Sequence, residues 1–279
     1  MFRIALFAIL ALFAAGRGQA QDTQAPTLAA LKGDYFAKSS NATGRTYHIY
    51  VRLPADYGEA PDRRYPVVFL LDGDSMFPIL AADHLFLTYD DKLPEAVVVG
   101  IAYGGFDPAV NKRGIDFMAP GEGVASAAAG APAFLRFLKD ELLPDVEARY
   151  RADPARRIIV GQSRSGSFVV WSAFADPDLF WGRIASNPPF DPIGAYDARP
   201  AASSRDDLTL VVVSGTDGGT PARPTLPADA RAWLQRWEAR TGTPWAVRGV
   251  TIPGGTHAAN LTDAYRAGMR LLFGLPARE

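Results

Sequence analysis

The chain alternates between short, continuous apolar runs and longer stretches in which apolar residues return every three or four positions. "YPVVFLLDGD" (Tyr65–Asp74), "AVVVGIAY" (Ala96–Tyr103), "RIIVG" (Arg157–Gly161) and "LTLVVVSGTD" (Leu208–Asp217) are rich in β-branched residues and end on Gly or Asp. Runs of this kind, with no polar alternation, predict strands covered on both faces, as in a parallel sheet. "TYHIYVRLP" (Thr46–Pro54) alternates and predicts a strand, and "WAVRGVTIPGG" supplies the last one. Between them, "APAFLRFLKDELLPDVEARY" places Phe134, Phe137, Leu138 and Leu142 at helical spacing, with Pro144 expected to kink or divide the helix. Ala230, Trp233, Leu234 and Trp237 follow the i, i+3, i+4, i+7 pattern of a one-sided helix. Residues 258–273 predict a final helix. Strand–helix alternation implies an α/β fold, a mostly parallel sheet with helices on both faces. Ligands of such sheets bind at the carboxyl ends of the strands, so the Gly- and Asp-terminated runs point loops at one shared rim.

The N-terminus has a different pattern. Arg3 precedes an apolar run from Ile4 to Ala15, and small residues Gly18 and Ala20 stand before Gln21. This is the order of a cleavable secretory signal peptide. Its apolar run is shorter than the roughly 20 residues a bilayer span needs. The expectation is a signal peptide over residues 1–20, a single domain over 21–279 with a loose leader to Ala29, and a periplasmic or secreted protein without a membrane span. The stretch 188–207, rich in Pro and Ala, predicts a loop or small cap rather than a large lid.

Composition narrows the chemistry. The absence of cysteine excludes a thiolate nucleophile, thiolate metal sites and disulfides. Loss of Arg3 and Arg17 with the leader would leave 27 basic against 30 acidic residues, with no basic run. That argues against a nucleic-acid partner.

One segment then carries the functional expectation. "RIIV" runs into Gly161-Gln162-Ser163-Arg164-Ser165-Gly166, and an apolar-periodic helix follows. A sharp strand-to-helix turn strains its central residue and lifts that side chain above the sheet. Residues two positions either side must be small. Centring on Ser163 meets this with Gly161 and Ser165, whereas centring on Ser165 starts the turn too late. Ser163 is therefore the candidate nucleophile. The Arg164 N–H, at the start of the helix, is a candidate oxyanion donor.

A serine needs a base. His48 lies within an early strand and His84 in an apolar, helical stretch, whereas His257 follows the last strand on the glycine-rich "PGGTHAAN" loop. His257 is the candidate base. Asp217, at the end of "LTLVVVSGTD", is the candidate acid, with Asp206, Asp207 and Asp229 as rivals and an ordinary Asp-Gly turn as its plain role. In "LLDGDSMF", Gly73 lets the backbone approach the site and the Asp74 N–H is the second candidate oxyanion donor. Arg113 and Arg164 could meet an anionic substrate or form local ion pairs.

In their order, "RYPVVFLLDGDSMF", "VVVGIAYGGFDPAVNKRGIDFMAP", "IIVGQSRSG" and "GGTHAANLTDAYRAGMRLLF" resemble the Putative esterase family of α/β-hydrolases, and within it the periplasmic enterobactin and related siderophore esterases. The resemblance implies an α/β-hydrolase fold and a serine esterase acting on a small-molecule ester, with no metal or organic cofactor. Ser163 and His257 match family positions, while the acid varies and some members look like Ser–His dyads. The chain departs from the family pattern at Ser165, where glycine is usual, and at "ASNPPF", where a Ser-Pro-Ser-Trp-like run is commoner. A siderophore trilactone esterase, a general short-chain carboxylesterase or acyltransferase, and a homologue that binds without turnover all remain open.

Overall fold

A computed structural model describes residues 33–121, 124, 128–189, 200–217 and 228–275 of the chain. Residues 1–20, read as a signal peptide, the leader to Ala29, and residues 190–199 of the expected cap lie outside the described residues. No helix among the described residues is long and apolar enough to cross a membrane.

Among the described residues, eight strands form one sheet in the order β1-β2-β4-β3-β5-β6-β7-β8. They are β1 (Gly33–Ser39), β2 (Thr46–Arg52), β3 (Tyr65–Leu70), β4 (Val97–Ala102), β5 (Ala152–Gln162), β6 (Gly182–Ser186), β7 (Leu208–Gly215) and β8 (Trp245–Ile252). The β1–β2 and β2–β4 pairings are antiparallel and all others parallel. The continuous apolar runs are indeed buried on both sides. Val67 and Phe69 of β3 face one core, Val68 and Leu70 the other, and in β7 Leu210 and Val212 oppose Val211 and Val213.

Two helices, α1 (Gly73–Asp90) and α7 (Leu261–Leu272), cover one face through Met76, Leu80, Tyr265 and Met269. The short α2 (Arg113–Asp116) follows β4. The other face carries α3 (Ala131–Arg136), α4 (Leu143–Arg149), α5 (Arg164–Ala175) and α6 (Ala228–Glu238). Ala230, Trp233, Leu234 and Trp237 of α6 are all buried, as their spacing predicts. Each fully buried aromatic side chain of this kind stabilises the fold by about 1.5–3 kcal/mol.

The helix is divided near Pro144, as expected. A π-helical turn, Phe137–Leu142, joins α3 to α4 and puts Pro144 in the first turn of α4, where a missing N–H leaves no bond unmade. The strands β1 and β6 are absent from the apolar runs for physical reasons. β1 is an exposed edge strand. β6 is short and interrupted by Arg183, whose buried guanidinium is satisfied by Ser172 Oγ and the carbonyls of Ser172, Asp176, Pro177 and Phe180. Burial pushes the Arg183 pKa down to about 9.

Because β3 to β8 are parallel, their carboxyl ends lie on one rim. That rim carries Asp72 after β3, Tyr103 after β4, Ser163 after β5, Asn187 after β6, Asp217 after β7 and His257 after β8.

Candidate active site

The turn after β5 has the strained form expected of it. Ser163 has φ 56° and ψ −124° and immediately precedes α5. A non-glycine residue held there costs on the order of 1–3 kcal/mol, a cost the surrounding structure must offset. Part of that support is visible: the Ser163 N–H donates to Ser186 O (2.9 Å), and its carbonyl accepts the Ser167 N–H (3.0 Å). Gly161 is required by sterics, since a Cβ there would stand 2.5 Å from Ser165 O.

The family departure at Ser165 has a use. This buried hydroxyl donates to Asp72 Oδ2 (2.7 Å), lies 2.9 Å from Gln162 O, and accepts the Gln162 N–H (2.9 Å). The elbow is thereby pinned to the end of β3. Asp72, in a left-handed conformation (φ 52°), also holds Arg113 bidentately, with Nε and Nη2 at 2.7 and 2.9 Å. Asp72 is a site residue that the sequence does not single out. Of the two roles open to Arg113, the structure shows the local ion pair.

Asp74 is the second residue of α1. Its carboxylate accepts the N–H groups of Tyr103 (2.7 Å) and Gly104 (2.9 Å), fastening the loop after β4. A helix start leaves its first N–H groups without intrahelical acceptors, and this applies to Asp74 in α1 and Arg164 in α5 alike. Gly73 differs from expectation. The space freed by its missing side chain faces β4, where a Cβ would meet the Ile101 backbone at 2.8 Å. The glycine brings α1 against the sheet rather than opening the backbone to a ligand. The Arg164 side chain is exposed.

His257 lies on the loop between β8 and α7, exposed, and lines one cleft together with Ser163. Its carbonyl accepts from Gln162 Nε2 and from Asn187 Nδ2 (2.9 Å). Asn187 is almost fully buried, has φ 44°, and joins three elements. Its N–H donates to Val213 O (2.7 Å), its Oδ1 accepts the Gly215 N–H (3.0 Å), and Nδ2 also donates to Asn260 Oδ1 (2.8 Å). It occupies the "ASNPPF" departure, the only signal in the chain that could have marked it.

The other histidines are committed elsewhere. His48 Nδ1 lies 2.7 Å from the Tyr35 hydroxyl. His84 is fully buried between the Tyr265 hydroxyl and Pro94 O, and burial, then the Arg52 charge, push its pKa down to about 3.

Asp217 stands at the end of β7 as expected, with its N–H donating to Gly255 O (2.9 Å) in the histidine loop. Its carboxylate accepts instead from Thr216 Oγ1 (2.7 Å). Among the described residues, neither Asp217 nor Ser163 is hydrogen-bonded to the His257 ring. Asp206 and Asp207 lie just before β7, at the opposite end of the sheet, with Asp207 held by Arg205. The Asp229 side chain lies outside the described residues.

The cleft measures about 400 Å³. Ser163, His257 and Gln162 form one side, Asp72, Asp74 and Arg113 contribute charge, and Met76, Ile79, Phe106 and Leu261 form an apolar wall. A larger cavity of about 520 Å³ lies between residues 200–205 and Arg240–Pro244, at the amino ends of β7 and β8, and its lining contains no histidine. The smaller cleft is the one that Ser163 and His257 share.

The sequence profile of the family described as Putative esterase matches residues 40–255. The ferri-bacillibactin esterase BesA of Bacillus subtilis is 32% identical over 169 residues, which are 54% of this chain and 56% of that protein. The chain spans about half the length of the curated relatives it matches. Among solved structures, the BES protein from Bacillus cereus superposes with a TM-score of 0.75 at 16% identity, over 97% of this chain and 99% of that one. An IroE-like serine hydrolase from Shewanella oneidensis gives 0.73 at 20% identity, over 87% and 80%. The shared architecture is the α/β-hydrolase fold.

Proposed function

The chain belongs to the Putative esterase family, and from that premise we propose that it is a serine esterase whose nucleophile is Ser163 and whose base is His257. The observation that carries this reading is a strained serine at the end of β5 sharing one cleft with a histidine at the end of β8. In the forward step Ser163 Oγ attacks the ester carbonyl while the imidazole takes the hydroxyl proton. The tetrahedral oxyanion is held by the Asp74 and Arg164 N–H groups. His257 returns the proton to the departing alcohol, leaving an acyl-Ser163. Water then attacks with the same imidazole as base, and the acid leaves.

Asp217 is given a minor part in this scheme, since among the described residues its carboxylate accepts from Thr216 Oγ1 and makes no hydrogen bond with the His257 ring. The Gln162 and Asn187 bonds to the His257 carbonyl fix the loop from the other side. The names of relatives, among them an apo-salmochelin esterase, support siderophore esters as the substrate group. A general short-chain ester is the alternative. Residues 1–20 support export.

The test is labelling of the purified protein with a fluorophosphonate, wild type beside Ser163→Ala, with the modified peptide read by mass spectrometry. Label confined to the peptide containing Ser163, and lost in the variant, is the expected result. A folded wild-type protein that takes no label would instead be a homologue that binds a ligand without turnover.

A further inference from the structure

The charges around the nucleophile are already employed, and the surfaces left free are apolar. Asp72 is divided between Arg113 and Ser165, and Arg113 commits Nε and Nη2 to that carboxylate. Asp74 spends its carboxylate on the N–H groups of Tyr103 and Gly104. Two carboxylates and one guanidinium leave the lining one negative charge in excess. Arg164 is exposed and is not part of that lining.

The same bonds fix the loop that carries Phe106. Tyr103 and Gly104 are tied to Asp74, Asn111 Nδ2 donates to Gly105 O (3.0 Å), and Asn111 Oδ1 accepts the Arg113 N–H (3.1 Å). From this loop Phe106 projects with 72% of its surface exposed, and Ile79 on α1 is 48% exposed, both lining the cleft beside Met76 and Leu261. Large apolar side chains held out in water by a hydrogen-bonded loop are a preorganised contact for an apolar ligand.

Resting on the Ser163 esterase reading, we infer that the cleft selects an uncharged ester that bears an apolar or aromatic group packed against Phe106 and Ile79. Phe106 is the specificity-determining residue. A neutral aryl ester and a neutral or iron-free chelator ester share this chemistry. A polyanionic ferric tris-catecholate does not, because it meets the excess negative charge of the lining.

The test compares kcat/KM of the full chain on methyl 3-phenylpropanoate, its para-carboxylate analogue, methyl acetate, and a tris-catecholate trilactone with and without iron, in wild type and Phe106→Ala. The neutral aryl ester should exceed its carboxylate analogue about tenfold, and the iron-free trilactone should exceed the ferric form. Phe106→Ala should cost the aryl ester about tenfold, mainly in KM, and methyl acetate only about twofold. The carboxylate or ferric substrate turning over as fast as its neutral partner would overturn the inference. So would an equal loss on all esters in Phe106→Ala. If Ser163 takes no fluorophosphonate label and no ester turns over, the esterase reading itself is what has failed.

Discussion

The elbow and the histidine loop face each other across one cleft, yet they are held in opposite ways. The elbow is local: Gly161 makes room, Ser163 takes the strained conformation, and Ser165 closes back on Gln162, all within five residues. The histidine loop is held by donors supplied from a distance. Gln162 and Asn187 reach the His257 carbonyl across 95 and 70 positions of sequence. The comparison teaches that the geometry of a candidate nucleophile can be written in a short motif, while the candidate base is positioned by the assembled sheet.

The largest effect should come from breaking the local side. In Gly161→Ala the new Cβ would approach Ser165 O to 2.5 Å and would meet backbone atoms of Ser165 and Gly166, so strand and helix must separate. A displacement of about 1 Å at a nucleophile costs about 10²-fold. We expect kcat/KM to fall by at least that much, together with a lower Tm. Activity within threefold of wild type would mean the elbow tolerates a wider turn than its glycine implies.

The distant side is tested by Asn187→Asp. The variant keeps size, left-handed backbone preference and the acceptor for Gly215, and replaces the N–H donors to Thr256, His257 and Asn260 with a carboxylate oxygen. We expect kcat to fall about tenfold with KM nearly unchanged, the pattern of a misplaced base rather than a lost binding contact. A protonated carboxyl can donate where a carboxylate cannot, so activity relative to wild type should recover as pH falls. A uniform loss at every pH would reduce Asn187 to a fold-stabilising residue.

These two variants also divide what the sequence discloses from what it does not. Continuous apolar runs announce β3, β4, β5 and β7 because their side chains meet core on both faces. The edge strand β1 has no such constraint, and β6 is masked by an arginine that only the folded chain can satisfy. His257 is legible because the chain has three histidines and two sit inside elements. Asp72 and Asn187 are not legible. Their roles depend on partners that become neighbours only when parallel strands align their carboxyl ends, and no spacing along the chain encodes that. Arg113 is ambiguous in sequence for the same reason, since its partner Asp72 lies 41 positions away.

A smaller effect should follow from Ser165→Ala. The hydroxyl links the elbow to Asp72, but Asp72 keeps its bidentate pair with Arg113 when the hydroxyl is removed. The loss should be about 1 kcal/mol of stability, read as a lower urea midpoint, with kcat/KM down about threefold. Ser165→Gly, which restores the usual family residue, should recover the turnover but not the stability. A hundredfold loss in Ser165→Ala would show that the link to β3, and not the local turn, sets the nucleophile.

The smallest effect is expected at Asp217, and it sharpens the comparison most. Where an acid holds the imidazole, replacing it by the amide costs on the order of 10⁴-fold in kcat. Here the carboxylate accepts from Thr216 Oγ1, and this strand end meets the histidine loop through the Asp217 N–H, which donates to Gly255 O, and through Thr216 Oγ1, which accepts the Gly254 N–H (2.8 Å). Asp217→Asn preserves that backbone bond and leaves an amide oxygen to accept from Thr216. Loss of the charge should therefore lower kcat only two- to threefold. Paired with Asn187→Asp, the expected order is reversed from that of a triad: the residue that holds the loop's carbonyl matters more than the carboxylate placed where an acid would stand. A 10³-fold or greater loss in Asp217→Asn would return the orienting role to the acid and make the Thr216 bond a resting arrangement that substrate binding exchanges for the imidazole.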